Sequence, residues 1–132
     1  MKYALLLIAF FLTLTACEKS TVPTKTLPEN LTGKWNYTQS FYSPGGPLVY
    51  VSTDDLYQWI NFKADGGFSS NMPRFQDVAS YEVLDSVTIK LFRPASQSSE
   101  RFFAQIDPAS KKLTLSSADF ICIEGCGSKF KR

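Results

Sequence analysis

The chain has no histidine in its 132 residues. That absence removes Ser-His-Asp and Cys-His nucleophiles, which need imidazole to take the proton from the attacking group. It also removes the imidazole ligands common at zinc sites. Carboxylates, tyrosines and lysines are the catalytic groups left. Asp54-Asp55 is the only adjacent acidic pair. Neighbours on an extended chain point to opposite faces, so this pair suits a turn better than acid–base work. The expectation is a protein that is not an enzyme and that uses neither metal nor cofactor.

An excess of one charge is missing too. Fourteen Lys and Arg face twelve Asp and Glu, a formal charge of +2. The basic residues are scattered, apart from Lys129, Lys131 and Arg132. Such a chain has no electrostatic footprint for nucleic acid. Sustained helical spacing is absent. Pro44-Gly45-Gly46-Pro47 lacks the lysine and the helix of a phosphate loop, and is expected to be a plain loop.

Cysteine is scarce, with three in all. The first, Cys17, closes Leu14-Thr15-Ala16-Cys17, after Lys2 and the apolar run Tyr3 to Leu12. A basic start, an apolar stretch and small residues form the pattern of an export signal. The stretch is short for a membrane span, which needs about 20 apolar residues. An ordinary signal peptide or a buried apolar segment is the alternative. The motif resembles the lipobox of bacterial lipoproteins. That resemblance implies cleavage after Ala16, a signal over residues 1–16, and lipidation of Cys17 as a membrane anchor. It also implies residence in the bacterial cell envelope. Glu18 follows the cysteine. In the enteric sorting pattern this is similar to, aspartate there retains a lipoprotein at the inner membrane, so glutamate points to the outer membrane.

An oxidising compartment pairs spare thiols, which leaves Cys122 and Cys126 as the expected disulfide. A redox pair or metal site is the alternative. However, the spacing is not Cys-x-x-Cys, and two thiols fall short of four zinc ligands. Residues 17–30 are polar with two prolines, and are expected to tether the lipid to the domain.

From Leu31 to Arg132 the pattern is β. Trp35 to Phe41 alternates apolar and polar, as a half-buried strand does. Asp65-Gly66-Gly67, Asp85-Ser86 and Asp107-Pro108 separate further alternating runs and predict hairpins. About eight short strands in local hairpins favour an antiparallel up-and-down barrel, because closure removes exposed edges. A two-sheet sandwich is the second choice. Ile60, Phe62, Phe68, Val83, Ile89, Leu113 and Leu115 are the expected core.

Gly33-Lys34-Trp35 opens the first strand. With the later hairpins and the Cys122 to Cys126 segment, it is similar to small bacterial lipocalin-like lipoproteins. The resemblance implies structural roles for Gly33 and Trp35, the tryptophan packing across the closed end. It also implies a basic side chain stacked on that ring, with Lys129, Lys131 and Arg132 as the options. The domain is shorter than a full lipocalin and lacks a helix after its last strand. Two uses stand open. One is carriage of a small hydrophobic or amphipathic ligand, with Tyr50, Tyr57 and Trp59 as contacts and the Tyr42 to Asp55 excursion as a lid. The other is docking of an envelope protein by a filled barrel.

Overall fold

The computed structural model describes residues 30–52, 57–120 and 125–132. Cys17, Cys122 and the acidic pair Asp54-Asp55 lie outside them, as does the expected signal segment.

Among the described residues, nine strands form one antiparallel sheet: β1 (Gly33–Tyr42), β2 (Val49–Ser52), β3 (Trp59–Phe62), β4 (Phe68–Ser70), β5 (Ser80–Val83), β6 (Thr88–Arg93), β7 (Ser98–Asp107), β8 (Lys112–Ser117) and β9 (Cys126–Lys131). The pairing order is β4-β3-β1-β9-β8-β7-β6-β5, with β2 on β1 outside this path. A bridge between Gly67 and Ser80 brings the two ends together. The Phe68 N–H donating to Ala79 O and the Tyr81 N–H donating to Gly66 O hold them there. The result is an eight-stranded up-and-down barrel, with no α-helix among the described residues.

Aspartates make the hairpins. Asp65 Oδ1 accepts from the Gly67 N–H at 2.9 Å, and Gly66 takes a φ of 85°. Asp85 Oδ1 accepts from the Val87 and Thr88 N–H groups, and Asp107 Oδ1 from those of Ala109 and Ser110. Each carboxylate caps its own turn, which is why Asp recurs there.

All seven expected core residues are buried. Their interior is aromatic and stacks edge to face. Tyr81 meets Phe62, Phe62 meets Phe68, Phe68 meets Phe75, and Phe75 meets Phe102, with ring centres 5.0–6.2 Å apart. Phe75 comes from a single 3-10 turn, Pro73–Phe75, in the connection between β4 and β5. Pro73 starts this turn at no cost, because its missing N–H would be unpaired there anyway.

One sequence expectation changes. Simple alternation through β1 puts Phe41 on the same face as Trp35. A bulge at Thr38 shifts the register against β9, and the Thr38 hydroxyl donates to Lys129 O at 2.9 Å. The extra residue reverses the faces that follow. Ser40 therefore faces in, opposite the buried Ser128, and Phe41 faces out across Gly127. Within the Tyr42 to Asp55 excursion, residues 49–52 return along β1 as β2, and residues 53–55 lie outside the described residues.

Candidate functional site

The barrel has two unlike ends. At the closed end, Trp35 is 1% exposed and its Nε1–H donates to Leu31 O at 2.8 Å. Arg132 is the basic residue that covers it, its guanidinium 4.4 Å from the ring centre. The same side chain donates to Asn30 O and Thr32 O, tying the entry of β1 to the exit of β9. Gly33 begins β1 at a φ of 121°, a left-handed conformation that glycine adopts most readily. Tyr81 donates its hydroxyl to Lys63 O at 2.9 Å. Burial pushes that phenol above its ordinary 10.0, and Asp65 adds to the rise while a Thr32 hydrogen bond offsets part of it.

At the other end the bore is sealed by charge over rings. Arg74 lies over both Phe75 and Phe102, each at 5.4 Å. Glu100 points in from β7 with its side chain 13% exposed, and bridges Arg74 at 3.2 Å and Arg93 at 3.3 Å. Arg93 also reaches Asp77 at 3.2 Å. These pairs fasten the 3-10 turn to β6 and β7.

Beyond this seal, the second half of β1, β2 and the start of β9 form a ribbon. Tyr42, Leu48, Val49, Tyr50 and Val51 are all exposed on it. The rings of Phe41 and Tyr50 sit 6.1 Å apart on the outer face, and Lys129 Nζ lies 4.7 Å from the Tyr50 ring. Phe41 is seated by Gly127: a Cβ there would fall 2.7 Å from the Phe41 ring and 2.5 Å from Leu115 O.

The expected ligand contacts do not converge. Tyr50 is on the ribbon at 52% exposure, and Tyr57 is 84% exposed in the connection before β3. Trp59 is half-buried on the outer face, with Lys34 Nζ 4.8 Å over its ring and its N–H bound to Asn71 Oδ1. None of the four described grooves is lined by any of the three. One groove, of about 500 Å³, lies on the outer wall beside Lys112, Lys129 and Lys131; another, of about 680 Å³, opens at the rim beside Arg93 and Glu100.

Cys126 begins β9 and is not a free thiol. Gly125 before it takes a φ of 105°, and its carbonyl accepts from the Ser43 N–H at 3.1 Å. No group of three or more Cys, Asp or Glu among the described residues is arranged to hold a metal ion.

Three side chains were not legible as functional. Arg74 and Phe75 sit in a Pro-Arg-Phe stretch with no strand pattern, and Glu100 precedes the alternation of β7. The usable signal was Pro73, which marks the start of a helical turn.

No family model, curated protein or solved structure matches this chain, so the site rests on its own geometry.

Proposed function

We propose that this chain is a lipid-anchored, lipocalin-like protein of the bacterial envelope whose filled barrel docks another protein. The carrying observation is the aromatic bore. An eight-stranded barrel is just wide enough for side chains to fill or for one small ligand to share. Here Phe62, Phe68, Phe75 and Phe102 occupy that space, and the Arg74–Glu100–Arg93 seal sits across its mouth. The exposed apolar ribbon supports docking at the same end, since such surface on a folded domain marks contact sites.

The anchor rests on the sequence around Cys17. Two or more acyl chains hold a protein stably where one does not. Palmitate labelling should be present in the wild type and absent in Cys17→Ala. The proposed Cys122–Cys126 disulfide is supported by the bound state of Cys126 and the turn that Gly125 permits. Exported, unreduced protein should therefore show no alkylatable thiol at either position.

A dye titration tests the docking reading. Wild-type protein should bind no naphthalene dye saturably, whereas Phe75→Ala should, because it opens an apolar cavity in the bore. Saturable, fatty-acid-competed binding by the wild type would replace docking with carriage.

A further inference from the structure

The barrel leaves one strand over. β2 pairs with β1 from Gln39 to Tyr42, and no strand lies along its second edge among the described residues. A free edge presents a row of N–H and C=O groups that templates another strand. Folded proteins guard such edges with lysine, proline or a bulge. β2 has none of these. Val49-Tyr50-Val51-Ser52 is uncharged, and all four residues are exposed. Valine and tyrosine are strong strand formers.

We propose that the occupant of this edge is the β2 edge of a second copy of the chain, paired antiparallel about a two-fold axis through Tyr50. The inference rests on the docking reading and names its partner. The sequence argument is that Val49-Tyr50-Val51 is a palindrome. Antiparallel pairing about its centre sets Tyr50 against the partner's Tyr50. It sets Val49 against the partner's Val51, and the reverse. A two-fold interface must be self-complementary, and an uncharged palindrome meets that demand with no like charges opposed. Lys129 is held over the Tyr50 and Phe41 rings. On the opposite face, Tyr42, Val49 and Val51 are doubled into one apolar strip.

A lipid surface does not fit the same edge, because hydrocarbon leaves its N–H and C=O groups unsatisfied. A strand satisfies them. The edge is short, well below the about 800 Å² per partner of a stable interface. The dimer is therefore weak in dilute solution and forms where copies share one membrane, which raises their effective concentration.

Cross-linking in whole cells expressing the full chain reads the register. Tyr50→Cys should form a disulfide dimer alone under mild oxidant. Val49→Cys and Val51→Cys should each fail alone, yet link when co-expressed. A charge series gives the same answer without cysteine. Val51→Lys should lower the dimer fraction about tenfold, and Val49→Glu with Val51→Lys in one chain should restore it, as each glutamate then faces the partner's lysine. No Tyr50→Cys dimer at any expression level overturns the proposal, as does Val51→Cys linking to itself as well as Tyr50→Cys does. The dye titration fails or passes independently: dye in the wild-type bore sinks docking, whereas absent cross-links with a dry bore sink only the partner named here.

Discussion

The guanidinium of Arg132 stacks 4.4 Å from the centre of the Trp35 ring and donates to Asn30 O and Thr32 O just before β1. One side chain therefore does two things: it covers the indole and closes the seam between β1 and β9. The stack is exposed, so its contribution is modest. Arg132→Ala should cost about 1–2 kcal/mol, less than the sum of a cation–π contact and a hydrogen bond to a charged donor, because solvent screens both at this exposed side chain. Arg132→Lys should recover part of it. Trp35→Ala should cost about 3–5 kcal/mol and largely unfold a domain of about 5–15 kcal/mol. Urea midpoints at unchanged slope read all three.

Glu100→Gln should destabilise the protein by about 2 kcal/mol. The change leaves Arg93, itself 15% exposed, with only the more exposed Asp77 as counter-charge. Removing one partner of a largely buried pair costs more than the pair contributes. Urea denaturation of this variant beside the wild type checks it.

Gly127→Ala should cost about 1–3 kcal/mol, the range for forcing extra atoms into a packed site. The new Cβ meets Leu115 O at 2.5 Å, and that atom belongs to the neighbouring strand's backbone. Removing the other obstacle with Phe41→Ala should therefore not rescue it. A double-mutant cycle by thermal denaturation distinguishes the two contacts.

Acid should weaken the fold through its turns. The Ser110 hydroxyl and N–H hold Asp107 below the ordinary 3.8. The Val87 N–H and Thr88 hydroxyl do so for Asp85, and the Arg101 N–H and guanidinium for Asp119. A depressed carboxyl stabilises fully above its unfolded pKa and loses that contribution as pH falls through the folded value. The stability from these three is thus complete above pH 3.8 and declines below it. Asp107→Asn should flatten the pH dependence of the urea midpoint in that window.

The hairpins were legible because Asp-Gly, Asp-Ser and Asp-Pro carry their turn chemistry in adjacent residues. The core was legible because Ile60, Phe62, Ile89, Leu113 and Leu115 keep a strict period of two on their strands. Phe41 was not, because the bulge at Thr38 is made by a contact with Lys129, 91 residues away. Phe75 and Glu100 were hidden for a related reason. A 3-10 turn has no alternation, and a glutamate inside a barrel is intelligible only once Arg74 and Arg93 face it. Choosing Arg132 over Lys129 and Lys131 needed the strand register, which sets Lys129 over Tyr50 on the outer wall.

β1 is the seam of the whole molecule, pairing β3, β2 and β9 at once. Its neighbours β2 and β3 are the next two strands along the chain, but β9 comes from the far side of the sequence. The barrel's closure is therefore a high-contact-order event, delayed by the entropy of joining distant segments. Until β9 arrives, β1 and β8 wait as open edges, and the local hairpins form an unclosed curved sheet. Folding should show fast strand formation followed by one slow step in which Trp35 fluorescence changes, and that step times the ring closure.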